Sequence, residues 1–406
     1  LFLLLLIVRQ KMTSYKFFAD RSIEKYRKSD VGFLICVILL WGLGLFSLYF
    51  VSQSAATRLF DDSLYFVKRQ FICSLIGFVG FTFFAALKIS AIRKLLPVIV
   101  IGTAILCLLT FIPGISLEKN GARRWIKMPF SFTLQPSELV KFALILFLAN
   151  LFDKQSSIER LEDRSVLPCV IGVLFFVALI LMQKDFSTSV FIFGICLLMF
   201  LVSGMKVTWL IPLSILAIPT MILLVTLEPY RVERIIGFLK PEEGIHTFNY
   251  QSNAAKRAIS AGGFWGTGIG TGLVQSNRIP EVQADYIFAG WAEAMGLIGV
   301  IAYFVLLGFF AWKGIKIALT CENRFASYGT FGCVAAIVLQ SLMNCGVVCG
   351  ALPSTGIPLP FFSLGGSSII VTLSMCGFVL NASRGDFEDE IKADDYIQLN
   401  TINGVI

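Results

Sequence analysis

The 406-residue chain contains few charged residues and almost no histidine. Charged residues make up 15% of it and hydrophobic residues 56%, which is more apolar surface than one soluble core can bury. His246 is the only histidine, which excludes a histidine-based metal site or catalytic triad. No Walker loop is present, which argues against an ATP-driven pump. The chain is therefore predicted to be a polytopic membrane protein.

Cysteine and glycine also exclude common kinds of site. The ten cysteines lie almost wholly in apolar stretches, so they predict small buried residues and not a disulfide framework. The glycine-rich run 262–272 lacks the dinucleotide-binding spacing and follows no predicted strand, which argues against a Rossmann site. It indicates a tight, re-entrant or interfacial loop.

Hydropathy predicts an all-α fold of about ten transmembrane helices. A span needs about 20 mostly apolar residues. The predicted spans are 31–52, 71–87, 95–112, 138–152, 167–182, 186–204, 208–227, 286–312, 327–349 and 367–382. A large extracytoplasmic loop, residues 228–285, separates the seventh and eighth.

The loop charges predict that both termini are cytoplasmic. With that orientation, and with the long loop discounted, 19 basic residues lie inside and 8 outside. Residues 1–30 then form a cytoplasmic segment, of which 1–11 are interpreted as an upstream extension of the natural start. Residues 31–384 form the transmembrane domain. Residues 385–406 are an acidic cytoplasmic tail.

Many lysines and arginines lie in the predicted outer loops, although positive charge disfavours the export of a loop. Their presence indicates an anionic partner, such as a phosphorylated substrate at the outer leaflet, with lipid headgroups as the alternative. These cations are Lys68, Arg69, Arg123, Arg124, Lys127, Lys256, Arg257 and Arg278.

Asp285 lies where the long polar loop ends and the eighth span begins. A carboxylate held there by a helix end would face a loop large enough to cover a substrate. An acidic helix cap is the alternative.

Three ionisable residues are predicted within the spans themselves. Glu138 and Lys141 would lie one turn apart on one helix face, either lining a polar cavity or forming a structural ion pair. Glu293 would lie about 12 Å below Asp285 on the same side of its helix.

Several segments, in order along the chain, resemble the SEDS family of bacterial cell-wall proteins, which includes FtsW, RodA and SpoVE. They are Phe60–Gln70, Asn120–Ile126 with Gln135–Lys141, Gln183–Ser189, Tyr250–Gln251 with the glycine-rich run, Pro280–Gly299, and Leu352–Ser368. The family's essential aspartate matches Asp285. The chain departs from the family pattern at Lys184, Ser187, Gln283, Ala284 and Leu364.

This resemblance implies a peptidoglycan glycosyltransferase in the cytoplasmic (inner) membrane that polymerises lipid II at the outer face. It also implies a class B penicillin-binding protein as partner. Phe60–Gln70 is more similar to division-type FtsW and SpoVE than to RodA, whereas Thr355–Pro360 is more similar to RodA. The division type is the better match, which implies septal synthesis, further divisome partners and surrounding membrane lipids. No nucleic acid is expected as a partner.

The chemistry of lipid II assigns a role to Asp285. A diphosphate is already a good leaving group, so one base suffices, and Asp285 would take the proton of the acceptor 4-hydroxyl. Residues predicted to bind the diphosphate or the sugars are Arg69, Arg123, Arg124, Gln135, Glu138, Lys141, Asp185, Lys256, Arg278 and Ser367. A divalent cation, Mg²⁺ or Mn²⁺, could assist with Asp285 or Glu138 as ligand, although no dedicated metal motif occurs. A lipid II flippase and a non-catalytic division scaffold are the alternative functions.

Overall fold

The computed structural model describes residues 29–119, 121–129, 132–156, 165–204, 228–240, 249–272 and 281–384, and positions 215, 219, 225 and 226. Within them the chain forms eleven helices and one three-stranded sheet. The helices are α1 (Val31–Phe60), α2 (Tyr65–Ala86), α3 (Ile89–Leu109), α4 (Pro136–Ser156), α5 (Leu167–Met182), α6 (Phe186–Val202), α7 (Pro229–Leu239), α8 (Tyr250–Gly262), α9 (Ile287–Thr320), α10 (Arg324–Cys349) and α11 (Gly366–Ala382).

The predicted class, a mostly helical membrane protein, is confirmed. Five of the described helices, α1, α2, α3, α9 and α10, are long and apolar enough to cross a membrane, and α5, α6 and α11 are shorter apolar helices. Nine predicted spans coincide with helices. The remaining predicted span, 208–227, which is the seventh in chain order, lies almost wholly outside the described residues. Residues 1–28 and the tail 385–406 lie wholly outside them. The number of spans and the orientation stay predictions.

Glycines allow α2 and α11 to pack closely. A Cβ at Gly377 would overlap the backbone of Phe81, and one at Gly77 would lie 3.2 Å from the Cα of Ile370. Small residues at such contacts let helix backbones approach in lipid, where packing replaces the hydrophobic effect. The two helices therefore pack closely, and α11 is buried along nearly its whole length.

Polar contacts gather at the two ends of the bundle. At one end Asp30 caps α1 and pairs with Lys313 of α9 at 3.2 Å, and Arg93 pairs with Asp153 at 2.5 Å. At the other end Gln70 donates to the Ser363 carbonyl, at 3.1 Å. The second end also holds the sheet and Asp285.

No secondary structure was predicted for the segment after α3, whose cations were placed outside, and it forms an antiparallel sheet. Its strands are β1 (Ser116–Lys119), β2 (Ala122–Lys127) and β3 (Thr133–Leu134), in the order β1-β2-β3. Ser116 pairs with Ile126, and Ile126 with Leu134. The signal was present in the dipeptide Asn120-Gly121, since an Asn-Gly pair favours a tight hairpin, and Gly121 has a φ of 68°.

Helix α9 is broken at Gly296, whose φ of 62° and ψ of −163° are not helical. The glycine-rich run packs at this break. The Thr267 amide donates to the Glu293 carbonyl at 2.9 Å, and the Leu297 amide donates to the Gly263 carbonyl at 3.0 Å. The break lies nine residues past the start of α9, about 14 Å along its axis. The run thus replaces helix hydrogen bonds that the break removes.

Candidate active site

Asp285 precedes α9, where a turn and a cross-contact position the backbone. The Ala284 amide donates to the Glu281 carbonyl at 2.9 Å, and the Leu364 amide donates to the Gln283 carbonyl at 2.9 Å. The Asp285 carbonyl accepts from Nδ2 of Asn344 on α10 at 2.8 Å. The backbone of residues 283–285 is thus held by contacts to three different parts of the chain.

Asp285 lines a cavity of about 210 Å³. The other lining residues are Tyr230, Glu233 and Arg234 of α7, Gln251 of α8, Tyr286, Asn344 and Val347 of α10, and the segment Ser354, Thr355, Gly356 and Ile357. Small-molecule sites typically measure about 300–1,000 Å³, so this cavity accommodates part of a large substrate and not the whole of it.

Arginine side chains surround Tyr230 on the α7 side of the cavity. Arg234 donates to the Ser354 carbonyl at 3.2 Å and lies over the Tyr230 ring, 5.3 Å from its centroid. Burial by itself would raise the pKa of Tyr230, but a hydrogen bond with Arg231 and the charges of Arg124, Arg234 and Arg231 outweigh it, so this pKa is lowered. The same arginine charges that lower this pKa would also attract a bound anion.

A second polar cluster surrounds Asp185, which is buried between α5 and α6. Its carboxylate accepts from Gln135 Nε2 at 3.1 Å and Ser137 Oγ at 3.3 Å, and pairs with Arg124 at 3.6 Å. Ser367 joins this cluster, because its hydroxyl accepts a hydrogen bond from the backbone amide of Gln135 at 2.9 Å. The cluster attaches the sheet and the start of α4 to the neighbouring helices.

Lys184 connects this cluster to the cavity wall. Its carbonyl accepts a hydrogen bond from Arg124, and its amine pairs with Glu228 at 3.5 Å. Glu228 immediately precedes α7, which supplies Arg234 to the cavity. Lys184 is one of the positions where the chain departs from the family pattern.

Glu138 and Lys141 form an ion pair at 2.9 Å, and whether this pair is purely structural or lines a polar cavity stays open. Each residue is 4% exposed. Lys141 also donates to Gln340 Oε1 at 2.5 Å, and neither residue of the pair lines the Asp285 cavity. Glu293, 1% exposed, lies against Gly272 of the glycine-rich run, also away from the cavity.

None of the remaining predicted residues that the structure describes lines the Asp285 cavity. Arg69 lies over the Phe132 ring at 5.3 Å, and exposed Arg123 pairs with Glu118 at 3.1 Å. Lys256 lies against Gly350 at the end of α10. Arg278 falls outside the described residues. The ten predicted binding residues therefore stay predictions, and four of them, Arg124, Gln135, Asp185 and Ser367, lie together in the Asp185 cluster.

Sequence reasoning missed Tyr230, Arg234 and Asn344. A signal existed for Arg234, because Arg231 and Arg234 lie three residues apart in the loop whose other cations were noted. A signal also existed for Asn344, since a buried amide within a membrane span is costly without a role.

The described residues offer no dedicated metal site. No group of three or more His, Cys, Asp or Glu side chains able to hold an ion occurs among them. Asp285 shares its cavity with one other carboxylate, Glu233, while Glu138 is paired elsewhere. The described residues therefore show no preformed site for the divalent cation suggested above, and no step of the chemistry is assigned to one.

Comparison with known proteins supplies the family. Residues 31–387 match the family model FtsW/RodA/SpoVE, described as "Cell cycle protein". The chain is 34% identical over 363 residues to the "Probable peptidoglycan glycosyltransferase FtsW" of Geobacter metallireducens, covering 89% of this chain and 96% of that protein. It is 34% identical over 362 residues to the "Stage V sporulation protein E" of Bacillus subtilis, covering 89% and 98%.

Two solved structures are similar in fold. One chain, from work described as "Structural coordination of polymerization and crosslinking by a peptidoglycan synthase complex", matches with a TM-score of 0.72 and 25% identity, covering 87% of this chain and 97% of that one. The rod shape determining protein RodA of Thermus thermophilus matches with a TM-score of 0.64 and 24% identity, covering 87% and 96%.

Proposed function

The chain belongs to the FtsW, RodA and SpoVE family of cell cycle proteins, and we propose that it is a peptidoglycan glycosyltransferase that polymerises lipid II. The resemblance found in the sequence is thereby confirmed at the level of the family. The names of its relatives support the activity. The observation that most supports a catalytic centre is the cavity that both Asp285 and Arg234 line.

In the proposed reaction Asp285 is the general base. It takes the proton of the acceptor's 4-hydroxyl as that oxygen attacks the donor's anomeric carbon, with inversion. The bond between this carbon and the diphosphate breaks, and the diphosphate leaves with the bonding electrons. Because the leaving group needs no protonation, a second acid is not required.

Cations beside the cavity stabilise the departing diphosphate. Arg234 lines the cavity, and Arg124 is near enough to Tyr230 to lower the pKa of that phenol. Charge-assisted hydrogen bonds from guanidinium groups suit phosphate oxygens, and they strengthen as negative charge develops. Arg234 is thus added to the cations predicted from sequence.

The test is polymerisation of lipid II by the purified protein, alone and with a class B penicillin-binding protein. We expect Asp285→Asn to abolish polymer while the variant keeps the melting temperature of the parent. Glu233→Gln is the matched control. It neutralises the other carboxylate of the same cavity, and so it separates loss of the base from loss of any negative charge there. Polymer formation by Asp285→Asn at the parental rate would refute the base assignment.

A flippase remains the alternative function, suggested by the buried Glu138, Lys141 and Glu293. Reconstituted vesicles separate the two functions. Loss of lipid II translocation without loss of polymer in Asp285→Asn would favour the flippase.

We further propose that the protein acts at the division septum with a class B penicillin-binding protein and other divisome proteins. The FtsW relatives support this assignment. One structural relative comes from work on a peptidoglycan synthase complex. Midcell fluorescence of a tagged chain in dividing cells is the expected observation, and uniform side-wall fluorescence would contradict it.

A further inference from the structure

Helix α10 presents two buried carboxamides one turn apart, Gln340 and Asn344, which are 1% and 2% exposed. Gln340 Nε2 donates to the Pro358 carbonyl at 2.9 Å. Asn344 Nδ2 donates to the Ile357 carbonyl at 2.9 Å and to the Asp285 carbonyl at 2.8 Å. Both amides thus hold the segment that forms one wall of the cavity.

The two amide oxygens differ in their partners. Gln340 Oε1 accepts from the Lys141 amine at 2.5 Å. Asn344 Oδ1 is buried and has no hydrogen-bond partner among the residues that the structure describes. The orientation of the Asn344 amide follows from chemistry, because a flipped amide would place its oxygen against two carbonyl oxygens.

A buried acceptor without a partner is rare in folded proteins and calls for an explanation. Asn344 lines the cavity that contains Asp285, so its unpaired oxygen belongs to a residue that a ligand there would contact. Gln340, equally buried and one turn away, has its oxygen satisfied within the protein. Of the nine buried side-chain nitrogen and oxygen atoms without a partner in the described part of the chain, only Asn344 Oδ1 belongs to a residue that lines this cavity.

We propose that Asn344 is a substrate-binding residue whose amide oxygen accepts a hydrogen bond from a neutral donor of the sugar, a hydroxyl or an acetamido N–H. This inference rests on the proposed function and deepens it. Because the same side chain holds the Asp285 backbone, one residue positions both the base and the sugar that it deprotonates. A neutral acceptor selects for a donor at that point of the sugar and adds no charge near the diphosphate.

The test pairs variants with substrate analogues. Lipid II and analogues that each lack one donor, by deoxygenation of a hydroxyl or replacement of acetamido by acetoxy, are assayed with the parent, Asn344→Ala and Asn344→Ser. For one analogue we expect the parent to lose about tenfold in kcat/KM, the effect of one neutral hydrogen bond. Asn344→Ala should use that analogue and natural lipid II equally well. Gln340→Ala, which removes the neighbouring amide that does not line the cavity, should keep the parent's discrimination.

A purely structural role for Asn344 would lower activity equally for every substrate and leave the discrimination intact, and that result would overturn the proposal. If both Asn344 variants prove inactive, displacement of fluorescent lipid II by each analogue gives the same comparison without turnover. Absence of polymer with the parent itself would refute the proposed function. Polymer with the parent and unchanged discrimination in Asn344→Ala would refute only this inference.

Discussion

Arg234 is the residue whose loss should separate substrate binding from stability. It is the only lysine or arginine among the described residues that line the Asp285 cavity. We expect Arg234→Gln to lower kcat/KM for lipid II by about 10- to 100-fold, because a hydrogen bond to a charged group contributes about 1.5–3 kcal/mol. Steady-state polymerisation assays measure this change in kcat/KM.

The control for Arg234→Gln is Lys316→Gln, which removes one positive charge from the opposite end of the bundle and should leave kcat/KM within about twofold. A second readout is the Tyr230 phenol. Removing the Arg234 charge should raise its lowered pKa toward the ordinary value near 10, as seen by ultraviolet titration of each protein against its Tyr230→Phe counterpart. Equal activity in both variants, with an unchanged Tyr230 pKa, would contradict the assignment.

The residues of the site differed in how visible they were from sequence. Asp285 could be found because a carboxylate between a polar loop and an apolar span is locally unusual. Asn344 and Arg234 lie 59 and 51 residues away from it along the chain, so only tertiary packing places them beside it. Lys141 was identified from sequence by its charge, but its partner could not be identified, because Gln340 lies 199 residues away.

Within single elements, the break in α9 tests how far a membrane helix depends on one glycine. Alanine at Gly296 would have to adopt a φ of 62°, and its Cβ would lie 2.6 Å from the Phe264 carbonyl oxygen. We expect Gly296→Ala to destabilise the fold by about 1–3 kcal/mol, the cost of one strained backbone conformation, or more if the glycine-rich run is displaced. Thermal unfolding in detergent, followed by size-exclusion chromatography, measures the loss.

Gly308 offers a matched control in the same helix, since a Cβ there meets nothing within 4 Å. Gly308→Ala should melt at the parental temperature or slightly above it, because alanine favours the helix. Equal melting temperatures for the two variants would show that the run does not depend on this break.

Hydropathy predicted the helices better than it predicted what interrupts them. Nine of the ten predicted spans fall on described helices, because a run of apolar residues long enough to cross lipid can satisfy its backbone as a helix. The same criterion cannot detect a two-residue strand such as β3. It also reads through Gly296, since one glycine barely changes the mean hydropathy of the span.

At the scale of the whole molecule, the two polar ends make orientation the deciding question. The Asp285 cavity, the sheet and the Asp185 cluster share one end, and the Asp30–Lys313 pair lies at the other. A lipid II polymerase at the outer face requires the first end to face outward, which agrees with the predicted excess of basic residues inside. The outward position of all three features therefore depends on one property, the orientation of the protein in the membrane.

Cysteine labelling measures the orientation of the protein in the membrane directly. Of the ten cysteines, nine are buried and Cys349 is exposed, at the last residue of α10 beside the cavity wall. A membrane-impermeant maleimide added outside spheroplasts should label the parent and not Cys349→Ser. In the Cys349→Ser background, Lys316→Cys places an exposed thiol at the opposite end and should react only after permeabilisation. If Cys349 instead reacted only after permeabilisation, Asp285 would face the cytoplasm. The proposed polymerase would then be on the wrong side of the membrane for its acceptor glycan.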